Sequence, residues 1–478
     1  MSATDQILAH FEQISAIPRG TKNEAGIREW LTHWATSRGL SSKTDSIGNL
    51  VIYVPASTGR ENAPALILQG HLDMVCEKTP DSTHDFTRDP IHIIRDGDWL
   101  KADKTTLGAD NGIAIAIAMA LVEDESISHP PLELLFTVEE EAGIGGADYI
   151  DPSLLTAKVL INLDSEEDGV FTIGCAGGGS TYITLPVSWS EPPKDDITFE
   201  LAVSGLQGGH SGEDINKHRG NANKILARTL DEVQRTIPIR LSKFKGGNAR
   251  NAIPRDAEAI FLCSKELSEL CKEIITAFEK ILLAEFIGSE QGPFLVLLGK
   301  QSSVESAISF EDTKKSIQLI SALPNGVAEM SAEVEGFIET SNNIGVMELL
   351  EDGFHVISNQ RSSVFSRLEE MNRRTEAIAA LAGAKTERTK MFPPWQANMD
   401  SPLLKKCIEV YEELNHQRPL VELSHGGLEC GTISDRCNGL DTISLGPTIK
   451  NPHSPDEMLY VPSLSSTWNF LVALLRSI

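Results

Sequence analysis

The sequence predicts an α/β fold in which a mostly parallel sheet, covered by helices, is interrupted by an inserted α+β domain. Three observations support this prediction: near-continuous apolar runs alternate with helical patterns, the pattern changes in the middle of the chain, and the first pattern returns near the C-terminus. Strands that are apolar on both faces are typical of parallel sheets buried between layers of helices. We therefore expect one domain formed by residues 1–184 and 389–478, with residues 185–388 inserted into it.

The elements of the first domain follow in order along the chain. Residues 5–38 carry apolar positions at helical spacing, interrupted at residues 18–20, which predicts two helices. Residues 111–125 are apolar nearly all round and too long for a strand, which indicates a buried helix. In mostly parallel sheets, ligands bind beyond the carboxyl ends of the strands. Four short apolar runs that each end in polar residues predict strands of this kind: ALILQGHLD (65–73), LELLFTVEEE (132–141), KVLINLDSEE (158–167) and TISLGPT (442–448).

The inserted region shows a different pattern. Runs such as ITFELAVSG (197–205) and FHVISN (354–359) alternate apolar and polar residues, which indicates a sheet with one solvated face. These runs flank amphipathic helices, such as the one predicted at residues 366–383. We therefore expect an α+β domain, which divides into two α+β units at about residues 196–290 and 294–385.

The composition excludes two classes of partner. The chain of 478 residues has a formal net charge of −26, which repels both nucleic acid and anionic membranes. No apolar run approaches the ~20 residues of a membrane span, and the N-terminus lacks the basic leader and apolar core of a signal peptide. The seven cysteines are odd in number and scattered, which indicates reduced thiols in a cytoplasmic protein.

Histidine and carboxylate side chains recur where the predicted strands end. Imidazole and carboxylate groups are the ligands expected for zinc and similar ions, and two such ions can together activate a water molecule. The residues alone also allow simpler explanations, such as a helix N-cap for Asp110, a hydrogen-bonded loop for His71 and Asp73, and a solvated turn at residues 139–141. The candidate residues are His71, Asp73, Asp110, Glu140, Glu141, Asp164 and His453.

Seven motifs occur in the order found in a known enzyme family. Together they resemble the di-zinc metallopeptidases that include glutamate carboxypeptidase and aminoacylase, and within them most closely the bacterial Xaa-His dipeptidases. The resemblance implies a catalytic domain interrupted by a lid domain, in agreement with the organisation inferred above. The motifs are GHLDMV, TTLGADNGIA, FTVEEEAG, LINLDSEE, GGHSG, HGGLECG and GPTIKNPHSPDE.

The resemblance implies a role for each candidate. Asp73 would orient the histidine ligand two residues before it, and Glu140 would be the general base. A shift of one residue, with base and ligand at Glu139 and Glu140, is the alternative register. Because neighbours on a strand point to opposite faces, either choice requires a bend at the strand end. The implied ligands are His71, Asp110 and Asp164 for one metal ion and Asp110, Glu141 and His453 for the other.

The resemblance also implies substrate contacts in the inserted domain and near the C-terminus. His210 would stabilise the oxyanion of the tetrahedral intermediate, and the planar guanidinium of Arg361 would bind the free C-terminal carboxylate. Asn251 and Gly427 match further substrate-binding positions. Two divalent metal ions are implied, with zinc favoured and Mn or Co accepted by the same ligand types.

These expectations describe a cytoplasmic di-metal dipeptidase that hydrolyses short peptides with free termini, among them Xaa-His dipeptides such as β-alanyl-histidine. The expected partner is a small peptide substrate, without nucleic acid or membrane, and a homodimer is left open. Two alternatives also remain: an N-acyl amino acid deacylase on the same scaffold, and a non-catalytic protein that binds metal or peptide.

Overall fold

The computed structural model describes residues 2–292, 294–300, 304–332 and 334–478. The chain divides into two compact units. The first consists of Met1–Cys175, Trp395–Ser424 and Leu428–Ile478, and the second of Ala176–Pro394 and His425–Gly427.

Helices occur throughout both units. None of the helices in the described residues is long and apolar enough to cross a bilayer. In chain order they are α1 (Ala3–Ser15), α2 (Ala25–Ser37), α3 (Ala109–Glu123), α4 (Gly145–Asp148), α5 (Ala222–Gln234), α6 (Ser268–Glu285), α7 (Phe310–Ala322), α8 (Phe365–Ala382), α9 (Pro402–Asn415), α10 (Glu429–Arg436) and α11 (Val461–Ser477).

The strands of the two units belong to separate sheets. In chain order they are β1 (Ser41–Thr44), β2 (Leu50–Val54), β3 (Leu66–His71), β4 (Ile93–Asp96), β5 (Trp99–Ala102), β6 (Leu132–Thr137), β7 (Val159–Asn162), β8 (Val170–Cys175), β9 (Gly177–Leu185), β10 (Trp189–Ser190), β11 (Asp196–Val203), β12 (Gly209–His210), β13 (Arg240–Gly246), β14 (Ala252–Ile253), β15 (Ala257–Ser264), β16 (Leu295–Lys300), β17 (Ala307–Ile308), β18 (Gly326–Met330), β19 (Ile338–Leu350), β20 (Gly353–Ser362), β21 (Lys385–Arg388), β22 (Leu420–Ser424), β23 (Asp441–Ser444), β24 (Ile449–Lys450) and β25 (Met458–Tyr460).

The first unit is built on an eight-stranded sheet with the strand order β1-β2-β6-β3-β7-β23-β8-β22. Its four central strands, β6, β3, β7 and β23, run parallel to one another. Every residue of β3 and β6 is buried, as expected for strands covered on both faces. The prediction of a mostly parallel α/β sheet is therefore confirmed, and the carboxyl ends of its central strands meet at one edge.

Helix α3 is buried on every side. Residues 109–121 are all buried, and the helix packs against α1 and β3. Its alternating isoleucine and alanine residues have the two-residue period of a strand. The apolar run is too long for a strand, however, and it forms a helix. The predicted buried helix at residues 111–125 is therefore confirmed, and it begins two residues earlier, at Ala109.

The second unit contains a nine-stranded sheet, ordered β16-β11-β15-β13-β19-β20-β9-β21, with β18 also paired to β19. Because β13 pairs with β19, the two halves of the inserted region share this one sheet. Strand β9, which apart from its last residue lies in the range expected for the first domain, pairs with β20 and β21 of the second unit. The short strands β12 and β14 pair with each other close to the end of β20, where His210 of β12 lies 3.5 Å from Arg361.

Candidate functional site

Six of the predicted residues come together where the parallel strands of the first unit end. His71 is the last residue of β3, Asp164 lies two residues beyond β7, and Asp110 lies at the start of α3. Apart from His71 and Asp73, which are two residues apart, these positions are distant along the chain, and only the fold brings them together. The six residues are His71, Asp73, Asp110, Glu141, Asp164 and His453.

The carboxylate of Asp110 divides the group into two sets. Oδ1 of Asp110 lies 3.1 Å from Nε2 of His71, which is also 3.4 Å from Oδ1 of Asp164. Oδ2 of Asp110 lies 2.9 Å from Nε2 of His453, which is also 3.1 Å from Oε2 of Glu141. Each set therefore offers one imidazole and two carboxylates, and Asp110 belongs to both.

The hydrogen bonding of His71 limits what its Nε2 atom can do. Nδ1 lies 3.1 Å from the main-chain carbonyl oxygen of Asp73, so Nδ1 carries a hydrogen and donates it. In a neutral ring, Nε2 then presents a lone pair to the oxygens of Asp110 and Asp164, which repel it unless a cation or a proton lies between them. Oε1 of Glu141 is buried and makes no hydrogen bond to any described residue. These donors fit divalent ions of the zinc, Mn and Co type.

The pKa values in this group reflect the crowding of negative charge. Burial lowers the pKa of His71, but the charge of Asp164 and the hydrogen bond to Asp110 outweigh it and raise this pKa well above its ordinary value. Burial raises the pKa of Asp110, whereas hydrogen bonds from His453 and His71 lower it by more. Burial raises the pKa of Glu141. The group therefore favours positive charge between its carboxylates, which bound cations would supply.

The chain bends sharply after β6, where the three glutamates follow one another. Glu139 has a φ of +53°, in the left-handed region that residues other than glycine rarely adopt. The two carboxylate oxygens of Asp73 accept hydrogen bonds from the backbone N–H groups of Glu140 and Glu141, at 3.0 and 3.2 Å. Oδ1 of Asp73 also lies 3.4 Å from Nδ1 of His71. Asp73 thus supports both the histidine and the bend that base and ligand require.

The carboxyl group of Glu140 lies among charged neighbours. Desolvation raises its pKa well above the ordinary value, while the charge of His71 lowers it and the charge of Glu141 raises it further. A carboxyl group with a raised pKa is suited to accept and release a proton near neutral pH. Of the three glutamates, Glu141 is the one whose carboxylate lies against His453.

His453 approaches the group from a second, smaller sheet of the first unit. It lies in the turn between β24 and β25, which belong to the four-stranded sheet β24-β25-β5-β4, and it has a φ of +60°. Desolvation lowers the pKa of His453, but hydrogen bonds to Asp110 and Glu141 raise it above its ordinary value overall. The side chain is 53% exposed, so this set is open to solvent on one side.

The N-cap explanation for Asp110 is wrong. Gly108 occupies the N-cap position with a φ of +70°, and Asp110 itself has non-helical angles of −77° and 107°. Its carboxylate oxygens lie against the two histidines instead of the first turn of α3. The local sequence suggested a cap because aspartate before a helix usually has that role.

Three buried charged residues of the first unit were missed by the sequence analysis. Arg19 is 1% exposed, Glu457 is 2% exposed and Glu429 is 0% exposed. The two glutamates lie within the quoted motifs HGGLECG and GPTIKNPHSPDE, and Arg19 lies in the IPRG segment after the first predicted helix. No periodic pattern in these polar segments indicates burial, so only the tertiary structure reveals it.

Glu429 belongs to a buried polar network beneath the strand ends. Its Oε2 atom accepts hydrogen bonds from Nε2 of Gln69 at 2.7 Å and from Oγ1 of Thr137 at 2.5 Å. Oε1 of Gln69 accepts from Nδ2 of Asn162, whose Oδ1 accepts from the backbone N–H of Asp164. Burial raises the pKa of Glu429 to about 8, so this carboxyl group carries a proton at neutral pH.

We expect Glu429→Gln to stabilise the protein increasingly as the pH rises. Folded Glu429 keeps its proton up to about pH 8, whereas glutamate in an unfolded chain releases it near pH ~4.3. The stability that this proton contributes is therefore present at low pH and lost as the pH rises through that window. Because glutamine cannot ionise, the Tm difference between variant and wild type should grow up to about pH 8 and then level off. Thermal unfolding of chelator-treated protein tests this, and a difference independent of pH would contradict it.

The second unit brings His210, Asn251 and Arg361 together. Strand β12 pairs with β14, and His210 lies opposite Ala252. Asn251 lies immediately before β14, and its carbonyl oxygen accepts a hydrogen bond from the backbone N–H of Ser211 at 2.8 Å. NH2 of Arg361, on β20, lies 3.5 Å from Nε2 of His210.

Hydrogen bonding determines which nitrogen of His210 carries its proton. Nδ1 accepts a hydrogen bond from the backbone N–H of Glu213 at 3.2 Å, so the hydrogen of the neutral ring lies on Nε2. The longer approach of NH2 of Arg361 to Nε2, at 3.5 Å, is then a contact between two donors and not a hydrogen bond. Nε2 is therefore a donor beside the guanidinium of Arg361. Two donors, one of them charged, are suited to an anionic oxygen.

Gly427 lies in the segment His425–Gly427, which belongs to the second unit. Nε2 of His425 lies 2.7 Å from Oγ of Ser341, the cross-strand neighbour of Arg361. Burial and the charge of Arg361 lower the pKa of His425 to about 3, so its ring is neutral. His425 was missed by the sequence analysis, although it begins the HGGLECG motif that contains Gly427.

Comparison with known proteins places the chain in a family. Residues 67–477 match the model of peptidase family M20/M25/M40. The chain is 38% identical to the cytosol non-specific dipeptidase of Escherichia coli (strain K12). The alignment of 468 residues covers 98% of this chain and 96% of that protein.

Solved structures agree with this result. The aminoacylhistidine dipeptidase from Vibrio alginolyticus aligns with a TM-score of 0.84 at 37% identity, covering 99% of this chain and 96% of that one. Aminopeptidase PepT from Bacillus cereus ATCC 10987, with a TM-score of 0.56 at 16% identity over 99% and 98% of the two chains, shares the fold alone. The resemblance inferred from the motifs is confirmed, and the chain belongs to peptidase family M20/M25/M40.

Proposed function

We propose that this protein is a metal-dependent dipeptidase. The observation that carries the proposal is the carboxylate of Asp110, which presents one oxygen to each of two histidine-containing sets. The Escherichia coli relative is named a non-specific dipeptidase and the Vibrio alginolyticus structure an aminoacylhistidine dipeptidase. Dipeptides are therefore the proposed substrate class, with Xaa-His dipeptides such as β-alanyl-histidine as the first candidates. The name of the Escherichia coli relative also supports a cytosolic location.

Two divalent metal ions are part of this proposal, with zinc favoured over Mn and Co. When bound, such ions supply Lewis-acid activation of a water molecule and of the peptide carbonyl. The residues of the chain that would hold them are His71, Asp110 and Asp164 for one ion, and Asp110, Glu141 and His453 for the other.

Glu140 is the proposed general base. It takes a proton from the attacking water and delivers it to the amine that leaves, and its raised pKa suits both transfers. Asp73 keeps the backbone of Glu140 and Glu141 in place through its two hydrogen bonds. Its carbonyl oxygen also holds the Nδ1 hydrogen of His71, which leaves Nε2 to face a metal ion.

Four further residues are the proposed contacts to the substrate. Nε2–H of His210 donates to the carbonyl oxygen that becomes negative during the attack. Arg361 binds the free C-terminal carboxylate through its planar pair of donors. Asn251 and Gly427 are proposed as further substrate contacts, as the family resemblance implies.

We expect chelation to abolish dipeptide hydrolysis and a stoichiometric addition of zinc, Mn or Co to restore it. Metal analysis should find two ions per chain, because the two sets share only Asp110. The assay compares β-alanyl-histidine and other dipeptides with N-acyl amino acids under each metal. Turnover of N-acyl amino acids alone would identify a deacylase, and bound metal without turnover of either class would identify a binding protein.

A further inference from the structure

Arg19 and Glu457 hold one short loop of the first unit from two sides. The loop is defined as residues 107–110. It includes the first two residues of α3, of which Asp110 has non-helical backbone angles, and it ends at the aspartate shared by both sets. We propose that Arg19 and Glu457 form a clamp that positions Asp110, so that both metal-binding sets depend on these two residues. The clamp is defined here as Arg19, Glu457 and their hydrogen bonds, and the inference rests on the proposed binding of two metal ions.

Glu457 accepts hydrogen bonds from four successive backbone N–H groups of the loop. The carboxylate is almost fully buried, and the loop occupies both of its oxygens. Because the last of these N–H groups belongs to Asp110 itself, Glu457 determines where the Asp110 side chain leaves the backbone. The donors are Leu107 (2.8 Å) and Gly108 (3.0 Å) to Oε2, and Ala109 (2.8 Å) and Asp110 (3.3 Å) to Oε1.

Arg19 holds the loop from the other side. Its NH2 group donates to the carbonyl oxygen of Gly108, and its NH1 group donates to the carbonyl oxygens of Leu72 and Asp73 at 3.0 and 2.8 Å. The guanidinium thus ties the loop that carries Asp110 to the segment that follows β3. A planar fork can donate in two directions at once, which a single ammonium group cannot do in the same geometry.

Two glycines leave the space that the Arg19 guanidinium occupies. A Cβ atom at Gly108 would lie 2.7 Å from NH2 of Arg19, and a Cβ atom at Gly112 would lie 2.6 Å from it. Gly112 is inside a helix, where alanine would otherwise be preferred. The φ of +70° at Gly108 favours glycine by itself. At Gly112 the absence of a side chain matches the position of Arg19, independently of its hydrogen bonds.

Removing Arg19 would change the affinity for metal ions in opposite directions, depending on whether Arg19 acts through its charge or by positioning Asp110. A positive charge beside the two sets repels cations, so a purely electrostatic role predicts that its removal strengthens metal binding. A positioning role predicts that removing Arg19 weakens metal binding, because the Asp110 carboxylate would no longer be held with one oxygen facing each set. The affinity for metal therefore distinguishes the two roles without any measurement of hydrolysis.

The test measures Co²⁺ binding to the full chain by chelator competition and by the visible absorption of the bound ion. We expect Arg19→Met and Arg19→Lys to weaken the binding of both ions by ~10–100-fold, the usual scale for residues that support metal ligands. The absorption spectrum of bound Co²⁺ should change with them. His453→Ala should instead weaken one ion, because His453 belongs to one set.

Matched controls separate the clamp from general effects. Arg60 also donates to main-chain carbonyl oxygens, those of Leu475 and Arg476, so Arg60→Met should leave Co²⁺ binding unchanged. Glu457→Gln should weaken both ions, because an amide nitrogen would face backbone N–H donors. Asp456→Asn removes the same charge from an exposed neighbour and should leave binding within about two-fold of wild type.

Gly112→Ala tests the clamp without removing any hydrogen-bonding group. The new Cβ would displace the Arg19 guanidinium, so both ions should bind more weakly although alanine favours the helix. If Arg19→Met fails to fold, Co²⁺ binding to Gly112→Ala still tests the clamp. Unchanged or tighter Co²⁺ binding in Arg19→Met or Gly112→Ala would overturn the clamp. A wild-type protein that binds two ions but hydrolyses no dipeptide would instead overturn the proposed function.

Discussion

Glu140→Gln should lower kcat for dipeptide hydrolysis by ~10²–10⁴-fold, the usual scale for loss of a general base, while both metal ions stay bound. The amide has the size of the carboxylate but cannot take a proton from the attacking water. The backbone N–H of residue 140 still donates to Asp73, so the bend after β6 should persist. Steady-state kinetics, combined with metal analysis of the same sample, measure both parts of this expectation.

Substitutions of the neighbouring glutamates test the register. Glu141→Ala should weaken one metal ion, because the carboxylate of Glu141 lies 3.1 Å from Nε2 of His453. Glu139→Gln is the matched control and should change kcat by less than about ten-fold, since its side chain has no proposed role in proton transfer. If Glu139→Gln lost activity with both ions bound and Glu140→Ala lost an ion, base and ligand would lie one residue earlier than proposed.

Arg361→Ala should lower kcat/KM for dipeptides with a free C-terminal carboxylate by about 30- to 4,000-fold. Truncating one partner of a buried charged hydrogen bond costs about 2–5 kcal/mol, and each 1.4 kcal/mol is about ten-fold. Arg361 is 7% exposed, so little water is available to replace its guanidinium. The wild-type protein should accordingly hydrolyse C-terminally amidated dipeptides poorly, and the variant should no longer distinguish acid from amide.

The control for Arg361 is an arginine of the same unit at the surface. Arg367 is 55% exposed and lies 3.7 Å from a carboxylate oxygen of Glu339. Arg367→Ala should therefore leave the acid-to-amide ratio of the wild type unchanged, because exposed ion pairs contribute little. Equal losses for acid and amide substrates in Arg361→Ala would remove Arg361 from recognition of the carboxylate.

The two catalytic assignments depend on different physical features. Glu140 is suited to act as a general base because desolvation raises its pKa. His210 is suited to donate to an oxyanion because the backbone N–H of Glu213 bonds to Nδ1 and leaves the ring hydrogen on Nε2. A substitution at Asp73 should affect the first feature through the bend after β6. The side chain of His210 should keep its tautomer in such a variant.

Much of the fold could be predicted because the relevant signals are local. The burial of α3 follows from an apolar run of helical length, and the strands β3, β6 and β7 follow from short apolar runs that end in polar residues. The candidate ligands could also be named, because the order of the motifs can be read from the sequence alone. That order indicated the family, and the family resemblance implied the ligand positions. The bend at Glu139 could be anticipated from the geometry of adjacent residues on a strand.

The sequence by itself determined the fold class, the family and the residue types that the candidate site offers. The family resemblance already implied that Asp110 belongs to both sets. Only the tertiary structure showed that one of its oxygens lies 3.1 Å from His71 and the other 2.9 Å from His453, and that Arg19 and Glu457 are buried against the loop that carries it. The physical reason is that periodicity reports which face of an element is apolar. It does not report which polar groups, far apart along the chain, meet when the elements pack.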